Sequence, residues 1–373
     1  MTAPLVWLDV NETYFPGDIY GQVQNTYPAL NYTKITGYTT PLTLDNLDQL
    51  NDFGNTSVYL TSNEGIEAFP AWFNGTQPNS DGVTEGATSC AIVTVDHGDG
   101  TLDAFYFYFY SFNKGDIVLD VVWGDHVGDW EHNMVRFENG EPQALWYSQH
   151  SGGEAFTYDA VLKINGRPVA YSGQGTHANY AIEGVHDHTI PGVNLPFGPV
   201  NDYTSNGTLW DPTGNYYAYS YDNITAVFTA YDSSYPVNWL YFNGQWGDIQ
   251  VANQTGIFGE YEYTSGPNGP KFKNLVRTNV CPDGDDCDVL DYLWLTGSGG
   301  GLQRRTLLVA DGVIASTNDT TIARVWPSGE RELAETGAPE FWRAVRLPKF
   351  ALVGLRSCSL GKAPGTEDPE RPN

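Results

Sequence analysis

From Phe105 to Tyr110 the chain alternates phenylalanine and tyrosine without a break. Side chains on an extended strand point to opposite faces with period two, so this run reads as a strand with one Phe face and one Tyr face. The Phe face is expected to pack inward. The tyrosines then meet solvent or a second layer, or turn their hydroxyls into a binding cleft. Helical periodicity is scarce elsewhere. Short β-prone runs lie between clusters rich in Gly, of which there are 41, and Pro, of which there are 22, and aromatics make up 14% of the chain. The expected fold class is mainly β: a β-sandwich with long loops and a few short helices.

Asp18 is placed to cap a short helix over Ile19–Tyr27, and Leu44, Leu47 and Leu50, spaced by three, suggest another over Leu42–Leu50. Further strands are expected at Val58–Thr61, Cys90–Val95, Ala144–Ser148 and Val169–Ser172. Residues 1–290 read as one sandwich domain with an N-terminal extension. Residues 291–360 read as a β-rich segment packing on it, with Thr306–Ala310 and Phe350–Leu355 as strands. Gly297–Gly301 looks like a linker, and the Pro/Glu-rich stretch 361–373 like a disordered tail.

The stretch Gly124-Asp125-His126-Val127-Gly128-Asp129-Trp130-Glu131-His132-Asn133 carries the densest chemistry, and Met134–Phe137 continues it as a strand. Alternation places Asp129, Glu131 and Asn133 on one face, with His126 on the loop leading in. Oxygen ligands with one imidazole suit a divalent metal, and the same layout suits an acid/base pair. All seven histidines fall between His97 and His188. His150, His177, His186 and His188 sit in short Gly-flanked pieces typical of loops at strand ends. Each imidazole alone could be a turn or core residue, whereas a shared polar site explains the group.

Tryptophan and aspartate stand side by side in Leu209-Trp-Asp-Pro212 and Trp239–Asp248. That pairing suits a sugar, the ring stacking on a pyranose face and the acid binding hydroxyls, although ordinary core packing explains any one tryptophan equally well.

The net charge of −27 argues against nucleic acid and against an anionic membrane surface as partners. No apolar run approaches the roughly 18 residues of a membrane span. Four cysteines permit two disulfides: Cys281–Cys287 as a small stapled loop and Cys90–Cys358 as a tie between distant parts. Zinc is disfavoured because no C-x2-C pair occurs. Sequons stand at Asn11, Asn31, Asn55, Asn74, Asn206, Asn223, Asn253 and Asn318. With paired cysteines they point to the secretory route, N-glycosylation and a secreted protein, expected as a monomer in mature form with an added start methionine.

Phe105–Phe109, Gly124–Phe137, Ser148-Gln-His-Ser-Gly-Gly153, Gly175–Tyr180, His186-Asp-His-Thr-Ile-Pro191, Leu209–Pro212 and Trp239–Asp248 together resemble the fungal Vps62-like (vacuolar protein sorting-associated 62) family. The resemblance runs from about Pro4 to Cys287 and is weak beyond. A more distant similarity links the motif order to NPP1-like necrosis-inducing proteins. Those are β-sandwiches in which His-x-x-Asp-Trp-Glu holds a divalent cation needed to bind glycosylated sphingolipid. Carried over, that implies His126, Asp129 and Glu131 as metal ligands. Gly128 departs from the pattern, because that family has a second histidine there. The upstream aspartate has only Asp116 and Asp120 as candidates.

These readings converge on a secreted, metal-dependent, carbohydrate-active enzyme, a glycoside hydrolase or polysaccharide lyase. Asp129, Glu131, His150, His177 and Asp187 are the candidate catalytic groups. His126, Asp129 and Glu131 are the candidate ligands for a divalent ion, Ca²⁺ or Mg²⁺ rather than Zn²⁺. Tyr180, His186, Trp210, Trp246 and Asp248 are the candidate substrate contacts, the partner being a carbohydrate or glycoconjugate. The alternatives are a non-catalytic, metal-dependent binder of glycan or glycolipid, and a motif that only staples the edge of a sandwich.

Overall fold

The computed structural model describes residues 3–118, 121–150, 152–187, 200–254, 261–282 and 287–296, and the strands 305–309, 313–315, 321–325 and 331–335. Its centre is an eight-stranded sheet in the spatial order Val227–Ala230, Tyr216–Asp222, Cys90–Asp96, Thr101–Asn113, His126–Glu138, Glu141–Gln149, Gly152–Thr157, Val289–Leu290. Two neighbouring strands dominate it: the aromatic strand Thr101–Asn113 and the motif strand His126–Glu138. They pair antiparallel over their whole length, from Thr101↔Glu138 to Asn113↔His126. The motif strand turns into Glu141–Gln149 through Asn139-Gly140, both with positive φ. An Asn-Gly pair of this kind forms a two-residue hairpin whose twist matches that of the strands.

Alternation sorts the two faces as the sequence leads one to expect. Phe105, Phe107 and Phe109 join Trp130, Met134 and Trp146 on one side. That side is covered by the capped helix Ile19–Gln24, through Ile19 and Val23, and by Leu47, Leu50, Trp239 and Trp246. Tyr106, Tyr108 and Tyr110 lie on the other side with Val135, Leu145 and Tyr147. They meet a second layer, in which Leu5–Leu8 runs between Arg167–Ser172 and Thr208–Trp210. The tyrosines therefore face a second sheet. Each fully buried hydroxyl on that face finds a partner: Tyr108 on Asn133 Oδ1 at 3.0 Å, Tyr110 with Ser172 Oγ at 3.4 Å, and Tyr147 on the Val169 carbonyl at 2.9 Å. Leaving such a group unpaired would cost roughly 1–3 kcal/mol.

Local expectations need two adjustments. The Asp18 carboxylate does cap the first helix, accepting from Gly21 N at 2.7 Å, but the helix ends at Gln24. Leu42–Leu50 is not one helix: only a 3-10 turn, Leu47–Leu50, forms, followed by Asn51–Gly54. Asn46 explains the late start, because its Oδ1 accepts from Thr43 N and closes a separate turn upstream.

The Cys281–Cys287 disulfide is present. Cys90 is fully buried between the layers and has no disulfide partner among the described residues. Cys358 itself lies outside the described residues. In the C-terminal part, Leu293–Thr296, Arg305–Val309, Val313–Ala315, Thr321–Val325 and Arg331–Glu335 form an antiparallel meander. The run Phe350–Leu355, Gly297–Gly301 and residues 361–373 lie outside the described residues.

Candidate functional site

The motif strand places Asp129 opposite Tyr110, Glu131 opposite Tyr108 and Asn133 opposite Tyr106, all on the face toward the second sheet. Asp129 and Glu131 are neighbours on that face, and each retains a sliver of exposure. Asp129 Oδ2 is 3.0 Å from His177 Nδ1, and His177 Nε2 is 3.0 Å from the Tyr14 carbonyl oxygen. A carbonyl only accepts, so Nε2 carries hydrogen. With a carboxylate at Nδ1, the ring is an imidazolium. Burial pulls the His177 pKa down, but the hydrogen bond to Asp129 and the nearby acids outweigh it and raise it. The cation stacks on Tyr110, centroids 3.7 Å apart.

The two carboxyls are driven in opposite directions. Burial alone would raise Asp129, but the His177 hydrogen bond and the neighbouring imidazoles hold it below the usual range. Of those imidazoles His126 is itself pushed toward neutrality by burial, so His177 is the effective partner. Glu131 is pushed up to about 8, first by burial and then by the Asp129 charge. Its Oε2 accepts from the Ser148 hydroxyl, which in turn accepts from His132 N at 2.9 Å.

A second dyad stands beside Glu131. His150 Nε2 is 2.7 Å from Asp202 Oδ2, with the imidazole 34% exposed. Asp202 is fully buried and also accepts from the Thr176 and Tyr180 hydroxyls. These bonds overcome burial and lower Asp202 to about 2, while Asp202 raises His150 to about 9. His150 and His177 both adopt left-handed backbone, φ 46° and 59°. Such positions are uncommon outside glycine and gather at functional sites. Next to the dyads, past the Tyr14 carbonyl and Asn201, lies a cleft of about 220 Å³ whose walls include Glu12, Tyr14, Lys114, Asp116, Asn201 and Tyr203 but none of the dyad side chains. A larger hollow of about 390 Å³ lies around Asp96, Leu102 and Asn139, at the opposite end of the long strands and away from this chemistry.

Several expected contacts are placed elsewhere. Trp210 and Trp246 are buried in the cores on opposite faces of the sheet, so neither offers a ring to a sugar. The Asp248 carboxylate is buried and accepts from Ser62 N at 3.2 Å, and burial pushes it up to about 6. Tyr180 gives its hydroxyl to Asp202 and is backed by His186, which stacks on it at 3.7 Å and binds Thr204 Oγ1 at 2.9 Å. His97 pairs with Asp103 at 2.9 Å beyond the other end of the sheet, and His132 faces the opposite core. Asp187 pairs with Asn201 in a two-stranded ribbon. The Asp187 side chain, His188 and Asp120 lie outside the described residues.

The ligand set His126, Asp129 and Glu131 does not assemble: among the described residues no group of three or more His, Cys, Asp or Glu is placed to hold a metal ion. Each side chain is otherwise engaged. Asp129 is tied to His177, Glu131 favours its neutral form, and His126 Nδ1 is 2.8 Å from the Gly128 carbonyl. Gly128 has φ 68°, and a Cβ there would fall 2.1 Å from the Trp246 carbonyl oxygen, so no histidine fits. Sequence reasoning also missed Glu12, Ser148 and Asp202. Asp202 had one signal, the Asn201-Asp202-Tyr203 run, and Glu12 had none.

A family model described as vacuolar protein sorting-associated protein 62 matches residues 105–258. The chain is 36% identical over 353 residues to TDA6 of Saccharomyces cerevisiae, whose name carries a provisional assignment to vacuolar protein sorting. That match covers 85% of this chain and 73% of the relative. It is also 36% identical over 284 residues to vacuolar protein sorting-associated protein 62 of the same yeast, covering 70% of this chain and 58% of that one. A solved structure of NLPPya in complex with glucosamine aligns at a TM-score of 0.20 and 13% identity, covering 48% of this chain and 75% of that chain, too low to carry an argument. By the extent of its identity to the yeast proteins, the chain belongs to the Vps62 family.

Proposed function

We propose that the protein is a carbohydrate-active enzyme of the secretory route that cleaves glycosidic bonds by acid/base catalysis. The observation that carries this reading is the pair Asp129 and Glu131, adjacent on one strand face, the first bonded to His177 with its pKa lowered, the second bonded to Ser148 with its pKa raised by burial and by the Asp129 charge. Pairs of carboxyls with environments that separate their pKa values are the means by which one site supplies both an acid and a base. Glu131 protonates the leaving oxygen. The charge it then gains is stabilised by the Ser148 hydroxyl and by the nearby His150 imidazolium. Asp129 is fixed through Oδ2 by His177, which leaves Oδ1 for water or the sugar. Secretory passage is supported by the disulfide and by the seven described sequon asparagines, six exposed and Asn223 half-buried. No described helix is long and apolar enough to cross a membrane.

The test is incubation with a panel of plant and fungal polysaccharides, with products separated by size. Product release from at least one glycan is expected, and Glu131→Gln should lower the rate by roughly 10²–10⁴-fold. No product from any glycan sinks the reading. One observation favours a non-catalytic binder instead: His150 and His177 are both locked as cations by carboxylates, so neither is poised to shuttle protons. Glycan binding without turnover, unchanged by Glu131→Gln, would select it. A mobility shift on endoglycosidase treatment tests glycosylation.

A further inference from the structure

We propose that Tyr203 is the sugar-stacking platform of the cleft and that the ring it accepts is a neutral hexose. The proposal rests on the carbohydrate reading above and adds how the cleft next to the dyads holds its ligand.

The tryptophans expected as sugar platforms, Trp210 and Trp246, are core residues, so a platform has to come from another ring at the surface. Tyr203 lines the cleft and is 53% exposed. The short strand Asn201–Thr204 explains why. Asp202 and Thr204 point inward, to the His150 and His186 networks, so Asn201 and Tyr203 must point outward. The Tyr203 backbone is fixed on both sides, by pairing with Val185 and by its carbonyl accepting from Gln174 N at 2.9 Å. A large ring on a pinned backbone is presented at low entropic cost, which is what a stacking contact needs. Ile117, 66% exposed, also lines the cleft and adds apolar surface.

Size and charge narrow the occupant. About 220 Å³ is below the roughly 300–1,000 Å³ of sites that engulf drug-sized ligands, so one sugar ring fits while the rest of a glycan stays outside. The lining is acidic, with Glu12 and Asp116, and its one lysine is engaged: Lys114 Nζ lies 2.8 Å from the buried Asp125 carboxylate. Glu12 accepts from the backbone N–H groups of Thr13, Tyr14 and Gly175. A uronate or a phosphorylated or sulfated sugar would bring like charge to Glu12, and the one lysine among the described lining residues is already engaged. A neutral ring brings an apolar face for Tyr203 and hydroxyls for Asn201 and Gln174, which also line the cleft.

The experiment is binding of full-length wild type, Tyr203→Ala and Tyr203→Phe to immobilised neutral glucans, mannans and galactans and to polygalacturonate. Because the ring is exposed, all three proteins should melt alike. The expected result is neutral-glycan binding by wild type, a roughly tenfold or greater loss in Tyr203→Ala, and near-full retention in Tyr203→Phe. Wild-type binding that Tyr203→Ala leaves unchanged, or a preference for polygalacturonate, overturns the proposal and leaves the carbohydrate reading standing. Failure of wild type to bind any of these glycans overturns both.

Discussion

Each face of the motif strand packs a buried histidine, and the two are treated in opposite ways. Toward the helical cover, His132 lies against Phe105 and Phe107. Its Nε2 accepts from Arg277 Nη2 at 2.8 Å, and Nδ1 has no partner among the described residues. Burial and then the Arg277 charge hold it neutral, its pKa well below the usual value. Toward the second sheet, His177 is equally buried, but both its nitrogens face oxygen acceptors and it is a cation. Burial alone therefore does not set the charge of an imidazole here; the partner does. One face of the strand is core, and the other is a polar network with little slack.

On the core face, Trp130→Ala opens a cavity among Phe109, Trp239 and Trp246 and should cost about 3–5 kcal/mol in denaturant unfolding. On the polar face, Asp129→Ala strands the buried His177 cation and should cost a comparable amount, about 3–5 kcal/mol. A double substitution with His177→Ala should cost less than the two single losses added. If Asp129→Ala is tolerated within about 1 kcal/mol, the ion pair is not what fixes this face.

Smaller, and with a sign that can be checked, is the pH dependence set by Glu131. Its carboxyl rises from an ordinary 4.5 to about 8, so the folded state holds a proton the unfolded chain gives up. This contribution to stability is fully present below about 4.5 and is lost as pH rises toward about 8. His150, raised to about 9 from 6.5, loses its share in the same direction at higher pH. Glu131→Gln should flatten the slope of melting temperature between those two Glu131 values, leaving the His150 part. An unchanged slope would mean that Glu131 titrates normally. The smallest effect is expected from EDTA. With no ligand set assembled among the described residues, it should leave the melting temperature where it was. A clear drop would restore a metal to the account.

What was legible in the sequence is what obeys period two. The Phe/Tyr alternation gave the central strand and its two faces, and the same rule put Asp129 and Glu131 together. Contacts made across long separations were not legible. Asp202 lies 52 residues from His150, and Glu12 lies 163 from Gly175, and no local pattern links either pair. Tryptophan beside aspartate misled, because that pairing looks the same in a core as at a sugar site, and Trp210 and Trp246 proved to be core. Clustering of histidines along the chain was also an imperfect guide, since alternation sends His132 to the opposite face and His97 belongs to the far end of the sheet.

Everything proposed about activity depends on Glu131 keeping its proton near neutrality while Asp129 beside it does not. Carbon-13 NMR of the glutamate carboxyls, with the Glu131 resonance assigned by its absence in Glu131→Gln, reads this without a substrate. The account predicts a midpoint displaced from about 4.5 to about 8. A Glu131 resonance that titrates with the surface carboxylates, between about 4 and 5, would contradict it.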